Sequence, residues 1–196
     1  IWLGRLVTRL LPDEPEADGL VALMLHCEAR REARRDAYGG YVPLDMQDVA
    51  RWSRPMLEEA EAKLSAASKA KKPGRFQLEA AIQSVHARRA VTGRTDWEAI
   101  ALLYEGLIRL APTIGARVGH AAALAEARGP DAGREALATI PPEAIDAYQP
   151  YWALSAHLLK RLGRHAEATA AYARAIGLCE EPAVRRFLAA QAPPVA

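Results

Sequence analysis

The chain has little cysteine, no long apolar run and no dominant charge, and each shortage narrows what it can be. Two cysteines, Cys27 and Cys179, among 196 residues cannot define a disulfide framework. A reducing, cytoplasmic home is therefore the expectation. No stretch approaches the apolar length that a transmembrane helix needs, so no membrane contact is expected. The 26 Lys and Arg stand against 24 Asp and Glu, a formal net charge of +2. That balance lacks the concentrated basic excess of a dedicated nucleic-acid binder. Direct DNA binding by this piece should be weak or absent, with Lys69, Lys71 and Lys72 the best placed for any phosphate contact. The chain opens at Ile1 inside an apolar-periodic segment without a signal-peptide pattern, and it reads as a piece of a longer protein.

Recognisable catalytic patterns are also missing. The histidines are His26, His86, His120, His157 and His165, and none belongs to a zinc-protease motif. His26 and Cys27 are adjacent, which on a helix turns them about 100° apart and leaves no ready metal pair. No glycine-rich phosphate cradle occurs. Ser65 and Ser68 have no base at a legible spacing. The expectation is a binding protein, not an enzyme, with no catalytic residue, metal or cofactor. Trp2, Trp52, Trp97 and Trp152 read as fillers of core gaps.

What is present is helix. Apolar residues recur at helical spacing along most of the chain, and no segment alternates cleanly for six residues between turn signals. Residues 1–11 form a first helix stopped by Pro12 and Pro15. A second runs from about Glu16 through an apolar half, Leu20 to Leu25, and an arginine-rich half that must reach solvent, ending at Gly39-Gly40. Within it, Glu28 with Arg31 and Glu32 with Arg35 are spaced to support each other. Asp45 is placed to cap a third helix reaching about Ala67, with Asp48 at the capping-box position. A fourth spans about Arg75 to Val91. A fifth starts from Thr95, with Glu98 completing a capping box, and ends before Pro112. Five more are expected over about 114–127, 131–140, 144–162, 165–177 and 183–190, followed by a loose tail, QAPPVA.

The fold class is thus all-α, about ten helices packed as antiparallel pairs. Alanine-rich faces let their axes approach closely. An N-terminal helical part, 1–72, and a C-terminal part, 73–196, together make one continuous unit. The C-terminal part carries a repeat signal: Trp152 is followed by Ala168, Tyr172 and Ala175 at the spacings of a tetratricopeptide (TPR) unit. In such a unit the small residues sit where two helices cross and the aromatics fill the gap. Pro182 falls two residues late for the pattern, and Tyr104 with Pro112 gives a weaker echo. A TPR-like right-handed array is the expected architecture.

Several blocks together resemble the helical extension that follows the DNA-binding part in a family of bacterial extracytoplasmic-function-type RNA polymerase sigma factors. They are Glu14-Pro15-Glu16, Gly19 to Arg31, Gln47-Asp48 with Trp52, and Pro73 to Ile82. Val85-His86-Ala87, Thr95-Asp96-Trp97, Ile100, Leu103-Tyr104 and Pro112 continue them, and the resemblance covers nearly the whole chain. The family's arginine after Gln-Asp is Val49 here, its acid after the tryptophan is Ser53, and its Leu-Asn-Arg stretch is replaced from Val118 to Ala123.

The resemblance implies transcription initiation for the parent protein and a regulatory, protein-binding role for this piece. The sigma domains would precede Ile1. Partners would be those domains, the polymerase or a regulator. Candidate interaction residues are Arg30, Arg31, Arg34, Arg35, Gln47 and Asp48. Two readings of the four arginines stand open: a local polar network with Asp36, Asp45, Gln47 and Asp48 that fixes the turn, or donors offered to an acidic partner surface. A generic TPR-type adaptor, and a small-ligand sensor or enzyme with an interhelical pocket, are the alternative functions.

Overall fold

A computed structural model of the chain describes residues 1–193. The last three positions of the expected loose tail, 194–196, lie outside the described residues. Among the described residues the fold is all-α, with no sheet and a single isolated antiparallel bridge between Arg35 and Tyr41. Ten helices run nine residues or more: α1 (Trp2–Leu10), α2 (Pro15–Ala29), α3 (Arg54–Ser68), α4 (Arg75–Ala87), α6 (Trp97–Leu110), α7 (Ile114–Arg128), α8 (Pro130–Ala138), α10 (Gln149–Arg161), α11 (His165–Gly177) and α12 (Pro182–Gln191). Two single turns, α5 (Arg89–Thr92) and α9 (Pro142–Ile145), join their neighbours.

Each helix packs on the next in a continuous succession. α2 lies against both α3 and α4, so the boundary expected near residue 72 falls between two helices that share a neighbour. α4 then packs on α6, α6 on α7, α7 on α8, both α7 and α8 on α10, α10 on α11, and α11 on α12. The core follows the same path in stages. Val21, Leu25 and Ala60 form the first cluster, Ile82, Ile100 and Leu107 the second, Val118, Leu137 and Leu158 the third, and Leu159, Tyr172 and Leu188 the last. Small residues set the crossings. A Cβ on Gly133 would stand 2.5 Å from the Ala125 Cβ and 3.0 Å from the Leu158 Cδ1, so α8 approaches α7 and α10 closely because that side chain is absent.

The pair formed by α10 and α11 turns on Leu162-Gly163-Arg164, where Gly163 takes the left-handed φ of 74°. Helices that pack together across so short a turn run antiparallel. Ala168 and Ala175 are fully buried, Tyr172 nearly so, and Trp152 packs against them. Trp152 also donates its indole N–H to the Ile145 carbonyl at 3.0 Å.

The structure departs from the sequence expectations at helix ends. α2 stops at Ala29, well before Gly39-Gly40, because the chain tightens into a 3-10 turn over Arg31–Arg34 that buries Ala33, and Arg35 is then extended. The third helix starts at Arg54, not after Asp45; Asp48 instead caps the short turn Val49–Arg51 by accepting from the Ala50 N–H at 2.9 Å. The cap of α6 is Asp96, not Thr95: its carboxylate accepts from the Ala99 N–H at 3.0 Å. Glu98 is thereby released to pair with Arg128 of α7 at 2.8 Å. The expected fourth helix divides at Arg88 and the eighth at residues 146–148 ahead of Pro150. Trp2 fills no core gap. α1 meets α2 through Gly4, where a Cβ would stand 3.0 Å from Val21, and this turns Trp2 outward.

Replacing Ala168 with Leu forces new methylenes into the closed α10–α11 contact and is expected to destabilise the chain by about 1–3 kcal/mol. Urea unfolding followed by circular dichroism measures this, and an unchanged midpoint would remove the crossing from that position.

Candidate functional site

Residues 30–53, between α2 and α3, form a strap held by polar contacts. Its tip is a turn in which the Asp36 carboxylate accepts from the Tyr38 and Gly40 N–H groups at 2.8 and 2.7 Å. Both glycines are needed there. Gly39 has a φ of +77°, and a Cβ on Gly40 would fall 2.4 Å from the Asp36 carboxylate. Behind the tip, the buried Gln47 donates its amide to the Val42 carbonyl at 3.2 Å. Arg51 donates to the Arg35 carbonyl at 2.9 Å.

The strap is fastened to the helices by a residue that sequence reasoning missed. Arg89, from α5, donates to the carbonyls of Leu44 at 2.9 Å, Gln47 at 3.0 Å and Asp45, with its guanidinium 5.3 Å from the ring centre of the buried Trp52. Nothing in the spacing of Arg88-Arg89 marks this role, because its acceptors are backbone carbonyls more than forty positions upstream. At the far end the strap reaches α12: Tyr41 meets Phe187 edge-on at 5.3 Å, and Arg35 pairs with Glu181.

The structure separates the four candidate arginines. Arg30 does not reach solvent freely; it is half-buried between α2 and α4, donating to the His26 carbonyl at 3.3 Å and to the Gln83 side chain. Burial lowers its pKa. Arg34 donates to the Cys27 carbonyl at 2.6 Å. Arg35 turns to Glu181 rather than Glu32. Arg31 is exposed and makes the expected pair with Glu28 at 2.8 Å. Gln47 sits inside the strap and Asp48 at its short cap, so these residues belong to one segment but not to one face.

Beneath the strap lies a cavity of about 590 Å³. Pro43, Leu44 and Met46 line it from the strap, and Ala153, Phe187 and Leu188 from α10 and α12. His86 and Trp97 close it toward α4 and α6, their rings edge-on at 5.3 Å. His86 is pushed down to a pKa of about 4 by burial, with Arg30 and Arg89 adding repulsion. Burial also lowers His157 on the α10 side. Glu126 and Arg161 pair at the rim.

At Gly119 a Cβ would come 2.4 Å from the Tyr104 ring. The missing side chain makes room for that ring between α6 and α7.

Arg89→Ala should cost about 1.5–3 kcal/mol, the range for hydrogen bonds to a charged group. Arg31→Ala should stay within about 0.5 kcal/mol, as for an isolated surface pair. Guanidinium unfolding with Trp fluorescence separates the two, and equal losses would contradict the division between strap anchor and surface residue.

No helix among the described residues is long and apolar enough to cross a membrane. Comparison with known proteins places part of the chain. A family model described as a family of unknown function, DUF6596, matches residues 1–68, the stretch from α1 to the end of α3. An uncharacterized protein of Rhizobium meliloti is 42% identical over 193 residues, covering 97% of this chain and 45% of that protein. The chain therefore spans under half the length of the curated relative it matches. No solved structure matches it.

Proposed function

We propose that this chain is the regulatory, protein-binding domain of an extracytoplasmic-function-type sigma factor, acting in transcription initiation through contact with the sigma domains of its own polypeptide. The single observation that carries a binding role is α1. Its apolar side chains share one face, and that face is the exposed one: Trp2 is 68% exposed, Leu3 66% and Leu10 70%. An amphipathic helix turned apolar side outward is a surface awaiting a protein.

The sigma assignment rests on the resemblance, and the fold supports treating its blocks as one signature. Glu14 to Gly19 and Pro73 to Ile82 are separate in sequence but meet in space, where Glu16 receives the N–H groups of Phe76 and Gln77. The α10–α11 pair, with Ala168, Tyr172 and Ala175 buried beside Trp152, supports a TPR-like reading of the C-terminal half. Arg31, exposed beside α2, is the member of the arginine group best placed to add a polar rim to such a contact.

Calorimetric titration of this chain with the separately expressed sigma domains of the parent polypeptide tests the reading. Saturable binding is expected, and Leu3→Asp with Leu10→Asp should weaken it at least about tenfold while leaving the melting temperature unchanged. Absence of binding, or affinity unaltered by both substitutions, would contradict it.

A further inference from the structure

We propose that the cavity beneath the strap is a binding site for an uncharged, flat, mostly apolar small molecule. The inference stands whether or not the parent protein is a sigma factor, since it rests on the cavity alone. At about 590 Å³ it falls in the range of sites that hold molecules of about 15–30 non-hydrogen atoms. Its walls come from widely separated parts of the chain: Leu44 and Met46 on the strap, Trp97 on α6, Ala153 on α10, and Phe187 and Leu188 on α12. The aromatic rings in this lining, Trp97 and Phe187, suit stacking or edge contact with a planar occupant.

The polar groups that face the cavity set the charge of that occupant. His86, His157 and Tyr172 reach it, and none makes a side-chain hydrogen bond among the described residues. Both imidazoles are held uncharged at neutral pH by burial, His86 also by Arg30 and Arg89, and His157 by Arg161 and Lys160 against Glu126 and Asp45. They offer one donor and one acceptor each to a neutral partner.

Both guanidiniums at the cavity already hold acceptors. Arg89 is occupied by three strap carbonyls, and Arg161 by Glu126. The unengaged charge is the exposed Asp45 carboxylate at the rim, which disfavours an anion. An anionic ligand would compete with Glu126 for Arg161 and with the strap carbonyls for Arg89, and would meet the Asp45 charge, whereas a neutral one uses the groups that lack partners. Because the strap forms one wall, a bound molecule would also tie the strap to α10 and α12.

Phenylnaphthylamine, an uncharged fused-ring probe whose fluorescence rises in apolar surroundings, tests this directly. Saturable one-to-one binding is expected. Ala153→Phe, which fills the cavity from α10, should weaken binding at least about tenfold. Met46→Ala, which removes one wall from an exposed strap position and leaves the fold intact, should weaken it about threefold. Anilinonaphthalenesulfonate, the same ring system carrying a sulfonate, should bind at least about tenfold more weakly than the neutral probe. Failure of the neutral probe to saturate would overturn the proposal. So would equal binding of the sulfonate, or affinity unchanged in Met46→Ala, which would place the probe elsewhere, such as on the α1 face. Should Ala153→Phe not fold, Met46→Ala and the sulfonate comparison still decide.

Discussion

The Glu16 carboxylate holds the front of this molecule to the rest. α4 begins at Gly74 without a capping side chain of its own, so its first N–H groups need an outside acceptor. Glu16, the second residue of α2, supplies it at 2.8 and 3.1 Å from Phe76 and Gln77. Its negative charge also lies at the positive end of the α4 dipole. Room for the contact comes from missing side chains. A Cβ on Gly74 would sit 2.1 Å from the Glu16 carboxyl carbon, and one on Gly19 would sit 2.8 Å from the Gln77 backbone nitrogen. Gln77 is itself buried and donates to the Lys72 carbonyl at 2.9 Å, which orders the loop leading into α4. On the other flank of α2, Lys63 of α3 reaches Asp18 at 2.8 Å. With α2 fixed to α3 and α4 together, the later helices follow one another from a defined start.

From that start, small residues govern how the helices stack. Ala80, Ala121, Ala156 and Ala168 are fully buried, and Gly133 and Gly119 admit neighbours that a methyl group would exclude. Close crossings of this kind bring α12 back toward the strap between α2 and α3. The strap closes the gap with Tyr41 on Phe187 and Arg35 on Glu181, and the cavity is the space left beneath it. α1 stands at the end of the succession, joined to α2 through Gly4, with its apolar face uncovered.

Legibility in the sequence followed the range of the interactions. The helical character, the turn at Gly163 and the burial of Ala168, Tyr172 and Ala175 depend on spacing within a few turns, and these were readable. The cap of α6 was missed by one position because Thr95 and Asp96 are both capable acceptors, and only the backbone path selects Asp96. The end of α2 was missed by ten residues. The arginines favour helix locally, and what overrides them is distant: Ser53 donates its N–H to the Ala29 carbonyl, and Tyr41 pairs with Arg35. For the candidate site, the strap was located but its fastening was not. Arg89 binds carbonyls, which carry no side-chain signature, and Arg35 finds its acid 146 positions away. The cavity was present in the sequence reading only as a general alternative, since its lining comes from seven separate helices and the strap.

The contact between Glu16 and α4 is open to a direct measurement. Glu16→Ala should lower the unfolding free energy by about 2–3 kcal/mol, since it strips a charge-assisted acceptor from two N–H groups at a helix start. Glu58→Ala, an exposed carboxylate on α3 paired with Arg54, serves as the control and should stay within about 0.5 kcal/mol. Urea unfolding of both variants, followed by circular dichroism, decides. A large loss confined to Glu16→Ala is the expected result, and equal midpoints for the two variants would contradict a fold that hangs on this contact.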